Sequence, residues 1–243
     1  MAHWREGQQM WVHRFSNRAR LYLPDKAFTL VKRLGTAVLT PFVFSIATGH
    51  FRSALCGRAV DRHGNPLPWY SYPMIEFLAS KDFHNRRVLE WGAGQSTLWW
   101  AGRAAEIVSF EDELEWYERL CSQGLSERVK LYYVPTSTEG CERWIENTFD
   151  VIVIDGLNRQ MAAEKSINWL SSDGALLLDN SDGYWGKPGT YPIIDLFRNA
   201  GFYRLDFYGF YPSWISVGVT SLFFKDRCFL LEGKENPVPK LVS

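Results

Sequence analysis

The sequence predicts an α/β fold: a doubly wound, mostly parallel seven-stranded sheet with one antiparallel strand, preceded by an N-terminal helical extension. Three observations carry this. From Arg86 onward, short apolar runs alternate with helix-period segments, the pattern of a parallel sheet covered on both faces. The stretch Arg87 to Trp100, RVLEWGAGQSTLWW, joins a strand to a helix through Gly92-Ala93-Gly94. The last two apolar runs, Arg204 to Phe210 and Ser216 to Phe224, have no helix between them, so they must pair antiparallel.

The elements follow in order. Residues 1 to 26 interleave Arg5, Arg14, Arg18 and Arg20 with Trp4, Trp11 and Phe15. They read as an accessory helix on the core or as a basic amphipathic helix on an anionic membrane. Leu34 to Gly49 is uncharged and largely apolar. It is short for a spanning helix and is interrupted by Pro41, so a buried or interfacial segment is expected. His50 to Pro68 is polar with several turn residues, and Asp61 to Pro66 reads as a loop. Trp69 to Pro73 opens a short helix, Met74 to Ser80. Strands are then expected at 87–90, 107–110, 129–134, 149–154, 175–178, 204–210 and 216–224. Helices are expected at 96–103, 114–123, 141–147, 160–170 and 191–200. The domain organisation is an extension over 1–68, a catalytic domain over 69–231 and a loose tail over 232–243, marked by Pro237 and Pro239.

Formal net charge is zero, from 27 basic and 27 acidic residues, so no whole-chain basic excess argues for nucleic acid and no such partner is expected. Aromatic residues make up 16% of the chain, which suits a large core or an aromatic-lined pocket. Cys56, Cys121, Cys141 and Cys228 form no zinc spacing and read as reduced, which points to the cytoplasm. Met1 to Met10 contains no apolar signal-peptide core.

The glycine turn carries the chemistry. Gly92 and Gly94 let backbone approach a ligand, and Ser96 and Thr97 start the following helix. Glu90 ends the strand, where it could meet a ligand's ammonium group and would repel a pyrophosphate. Glu111 ends the second strand about 20 residues past the turn, placed to accept hydrogen bonds from ribose hydroxyls, while Trp116 and Tyr117 in the following helix read as packing. Asp155 ends the fourth strand, and Asp179-Asn180 ends the fifth, so all three face the crevice of an open α/β sheet. Asn158 follows Asp155 and is both a helix cap candidate and a catalytic candidate.

The turn resembles motif I of the class I S-adenosylmethionine-dependent methyltransferases, an acid followed by two spaced glycines. The resemblance covers roughly Trp69 to Phe224. It implies S-adenosylmethionine as cofactor, held by Glu90, Gly92, Gly94, Ser96, Glu111 and Asp155, with Asp155 and Asn158 catalytic. An acid after strand four and an Asp-Asn pair after strand five further resemble the metal triad of the cation-dependent O-methyltransferases. That likeness implies Mg²⁺ on Asp155, Asp179 and Asn180. The chain departs from those enzymes in carrying Asn158 and Arg159 where they have a lysine base. The expected activity is methyl transfer to oxygen of a small-molecule or glycan-like acceptor. Two alternatives remain: a dinucleotide-dependent oxidoreductase, against which Thr97 stands in place of the third glycine, and a non-catalytic membrane-associated binding protein. Peripheral membrane contact is expected, if anywhere, through residues 1–50.

Overall fold

The computed structural model describes residues 24–135, 140–145, 148–156, 158–183, 190–233 and 239–241. The basic stretch before residue 24 lies outside these. Seven strands form one sheet: β1 (Arg87–Trp91), β2 (Glu106–Glu111), β3 (Val129–Tyr133), β4 (Phe149–Ile154), β5 (Leu170–Leu178), β6 (Tyr203–Phe210) and β7 (Val217–Phe224). Their order is β3-β2-β1-β4-β5-β7-β6, and β7 alone runs antiparallel, to both β5 and β6.

Burial on both faces explains the unbroken apolar runs of the central strands. Along β1 and β4, Val88, Val151 and Val153 point into one core with Trp99, Trp100, Met74 and Leu78. Leu89, Trp91, Ile152 and Ile154 point into the other, with Phe110, Ala163 and Phe197. The covering helices are α3 (Tyr72–Ala79), α4 (Gln95–Ala101), α5 (Leu114–Cys121), α6 (Arg159–Trp169) and α7 (Tyr191–Asn199). Cys141–Trp144 forms a single 3-10 turn where a longer helical stretch was expected. β5 starts five residues earlier than expected, because Leu170 turns extended and pairs with Phe149 ahead of a register shift.

The N-terminal region departs most from expectation. α1 (Asp25–Ala47) is one continuous helix that runs through Pro41, and only Ala47 in it is buried. Proline removes one backbone N–H there and does not end the helix. The buried alternative for this segment is therefore excluded. His50–Cys56 forms a further helix, α2, ahead of the expected loop at Asp61 to Pro66. Ser53 fastens it: its hydroxyl donates to the Val60 carbonyl at 2.9 Å and accepts the Val60 N–H at 3.0 Å. The tail is tied back where it was expected to hang loose: the Glu76 carboxylate accepts the backbone N–H groups of Lys240 and Leu241.

Candidate active site

The carboxyl ends of the parallel strands open into a cavity of about 860 Å³. Gly92, Gly94, Ser96, Glu111, Asp155, Asp179 and Asn180 all line it. Each of these was named from sequence because it ends a strand or opens a helix at that edge.

The turn after β1 is built by close backbone approach. Gly92 has φ +95°, and a Cβ there would lie 2.9 Å from the Gly156 nitrogen in the turn after β4. The two strand ends can meet only because this position has no side chain. Gly94 is different: its φ of 178° is ordinary extended backbone, and a Cβ would meet only Trp116 Nε1, at 3.6 Å. Its N–H donates to Thr97 Oγ1 at 3.0 Å. Thr97 thus caps the helix in the place where a dinucleotide fold carries its third glycine.

Glu111 braces the same turn. One carboxylate oxygen accepts the Ala93 N–H and the other accepts the Glu113 N–H, both at 2.8 Å. Its free lone pairs face the cavity, and burial raises its pKa. Trp116, read from sequence as packing, also belongs to the site. Its Nε1 donates to the Ala93 carbonyl at 2.6 Å and its ring lines the cavity.

Glu90 lies beneath the turn and does not line the cavity. It is fully buried on the sheet face that carries Tyr70 and Trp100. Ser109 donates to one carboxylate oxygen at 2.9 Å, and Ser96 and Thr97 also bond the group. The other oxygen has no partner, and neither do the nearby Tyr70 hydroxyl and Trp100 indole N–H. Burial lifts the carboxyl to about 7. Glu90 therefore does not reach the cavity in which it was expected to meet an ammonium group, whereas Glu111 lines it.

The second half of the floor is held by Arg159. Its guanidinium donates to the carbonyls of Gly156, Asp179 and Asp155, to Asp155 Oδ1 at 3.0 Å and to Asn180 Oδ1 at 3.3 Å. Asp155, Asp179 and Asn180 do come together, and they surround this cation. Mg²⁺ on that triad is not supported: the arginine fills the space, and no metal-binding group of His, Cys, Asp or Glu occurs among the described residues. Asp179 Oδ1 instead accepts hydrogen bonds from Tyr211 at 3.0 Å and Thr220 at 2.6 Å. Burial lifts Asp155 to about 6 despite the pull of Arg159. Asp179 is also raised, well above its ordinary value, through burial first and the charge of Asp155 second.

Asn158 is absent from the lining of the large cavity. It edges a small adjoining recess with Trp91, Phe110, Val134 and Ala162 beside Glu111 and Gly92. Tyr211 and Thr220 escaped the sequence reading because the β6–β7 hairpin brings them to Asp179 across many residues. Only the register of that pair determines which side chains face the site.

No protein-family model and no curated protein sequence matches the chain. Solved structures do. A precorrin-6y C5,15-methyltransferase from Geobacter metallireducens superposes with a TM-score of 0.50 at 12% identity, over 63% of this chain and 87% of that one. A precorrin 8w decarboxylase from Methanobacterium thermoautotrophicum gives 0.47 at 15% identity, over 68% and 95%. An rRNA methylase from Streptococcus thermophilus gives 0.44 at 14% identity, over 63% and 96%. The oxidoreductase alternative finds no support. The reversed β7 between β5 and β6 breaks the all-parallel order of a dinucleotide fold, and Thr97 occupies the glycine position. Strand order and the first of these likenesses agree: this chain has the fold of the class I S-adenosylmethionine-dependent methyltransferases.

Proposed function

We propose that the protein transfers the methyl group of S-adenosylmethionine to an oxygen of a small-molecule or glycan-like acceptor bound in the cavity. The observation that carries this reading is the pairing of the Gly92–Gly94 turn with Glu111, whose carboxylate holds the turn while facing the cavity. The cofactor supplies an electrophilic methyl on a positively charged sulfur. The chain's own residues bind, align and exclude water.

Gly92, Gly94 and Ser96 receive the methionine end. Glu90 supports the turn from beneath, where Ser96, Thr97 and Ser109 bond its buried carboxyl. Glu111 accepts from the ribose hydroxyls. Asn158 edges the small recess beside Glu111 and Gly92, outside the large cavity, which suits a positioning rather than a catalytic role.

Asp155 is the general base. Its Oδ1 is held by Arg159, which fixes the carboxylate's orientation, and a value of about 6 leaves it mostly ionised at neutral pH yet basic enough to take a proton. As the new O–C bond forms, the C–S bond breaks with its electron pair going to sulfur, and the acceptor's proton passes to Asp155. Alignment in a shielded cavity accounts for most of the rate in such a displacement.

Calorimetric titration of the purified chain with S-adenosylhomocysteine and, separately, with NADH tests the binding half. Micromolar affinity for the first alone is the expected result. No binding of the first, in protein that melts cooperatively, refutes the reading.

A further inference from the structure

The cofactor reading leaves α1 unexplained. Leu30, Val31, Leu34, Val38, Phe42 and Ile46 share one broad side of the helix and are each more than half exposed, with Phe42 at 63%. On the opposite side Thr29, Lys32, Arg33, Thr36 and Thr40 form one stripe at i, i+3, i+4, i+7 and i+11. The three threonine hydroxyls bond carbonyls of their own helix, which leaves Lys32 and Arg33 as the charged groups of that side. A broad apolar face opposite a narrow basic one is the pattern of a helix lying in a membrane interface. The helix is long and apolar enough to cross a bilayer. Lys32 and Arg33, however, leave an uncharged Leu34–Ala47 stretch of only about 21 Å, short of the roughly 30 Å of a hydrocarbon core.

The position of this helix relative to the cavity is what makes it informative. Its last turn packs Phe44 against Tyr72 and against Phe210 at the end of β6, with ring centroids 5.4 Å and 6.1 Å apart. Phe210 pairs with Val217, which lines the cavity and is itself exposed. Ile215, in the same hairpin tip, is 94% exposed. From the other side α2 presents Phe51 and Leu55 to solvent, and Gly57 and Arg58 at its end line the cavity. An apolar rim therefore runs from α1 through α2 and the hairpin tip to the cavity mouth.

Charge identifies the occupant. Residues 1–58 carry nine basic side chains and two acidic ones, while the remainder of this neutral chain carries 18 basic and 25 acidic. Two copies docked through α1 would bring two such cationic segments together. An anionic lipid surface meets both the apolar face and the charge.

We infer that α1, α2 and the 210–217 hairpin tip together form a surface that docks on an anionic lipid bilayer, with the cavity mouth opening at that surface.

Sedimentation of the full chain with vesicles of phosphatidylcholine and phosphatidylglycerol in equal parts tests this. The wild type is expected to pellet with these vesicles and to be released by salt. Joint Val38→Glu and Phe42→Glu substitution, at exposed positions, is expected to lower the partition coefficient at least tenfold with an unchanged melting temperature. Leu55→Glu and Ile215→Glu should each lower it several-fold, while Tyr203→Glu, exposed at the far end of β6, should leave it unchanged. Wild type that stays in the supernatant overturns the proposal, as does unchanged partition of the α1 variant. A dimer by light scattering that Phe42→Glu dissolves, without vesicle binding, overturns it in favour of a second copy. Wild-type partition of both Leu55→Glu and Ile215→Glu removes the cavity mouth from the lipid surface.

Discussion

Gly94→Val separates folding from ligand binding. The wild-type φ of 178° suits any residue, so the substitution introduces no left-handed strain. The new Cβ would sit 3.6 Å from Trp116 Nε1 and 3.8 Å from its ring carbon, ordinary contact distances, and the N–H to Thr97 is retained. The stability change should therefore stay within about 0.5 kcal/mol, a melting shift of no more than about 2 °C for a chain of this size. Trp116 blocks one side of the added methyl groups, so they must point into the cavity. Steric intrusion of that size is worth about 1–3 kcal/mol, which is roughly 5- to 150-fold in affinity for S-adenosylhomocysteine. Calorimetry paired with a melting scan reads both quantities. Wild-type affinity in a variant with wild-type melting would show that no ligand approaches Gly94, and the assignment of the glycine turn would fall with it.

Glu111→Ala should weaken the same ligand by about 1.5–3 kcal/mol, the value of a charge-assisted hydrogen bond; equal affinity in folded protein removes the ribose role. Glu90 makes a pH prediction. Its folded-state value of about 7 stands above that of an exposed glutamate, so its contribution to stability is full below about pH 4.5 and is lost as pH rises through 7. Without ligand, unfolding free energies between pH 4.5 and 8 should fall by up to about 3 kcal/mol more in the wild type than in Glu90→Gln, and parallel curves would contradict the buried neutral form. Excess chelator should leave both binding and transfer unchanged, whereas Arg159→Met, which removes the partner of the Asp155 carboxylate, should cost about 1.5–3 kcal/mol of stability. Loss of transfer in chelator would restore a metal to the site. Asp155→Asn should abolish transfer and spare cofactor binding to within a few-fold, read by single-turnover label transfer once an acceptor is in hand; retained transfer would move the base elsewhere.

Much of the site was legible because strand ends are legible. Short apolar runs locate the carboxyl edge of a parallel sheet, and Glu111, Asp155 and Asp179 each follow such a run directly. What could not be read were the partners that arrive by reach or by register. Arg159 read as a departure from a lysine-bearing pattern, since nothing in the sequence shows how far a guanidinium extends across two neighbouring turns. Trp116 looked like helix packing because one face of its ring is packing, while its indole nitrogen serves the turn. Glu90 read as a cavity residue because it was expected to end β1, but its depth beneath the turn depends on Ser109 and Thr97 closing over it. Pro41 misled in the opposite direction: an exposed helix tolerates a missing hydrogen bond that a buried one could not leave unpaired.

Arg159 also changes what the cavity floor depends on. A divalent ion is borrowed from solution, so its occupancy follows supply, competitors and acidity. A guanidinium on the backbone is present at a fixed one-to-one ratio and stays charged across the whole physiological range. It bolts the turn after β4 to the turn after β5 as the chain folds, before any ligand arrives. The floor is thus assembled as the chain folds, and its assembly does not wait on the supply of a divalent ion.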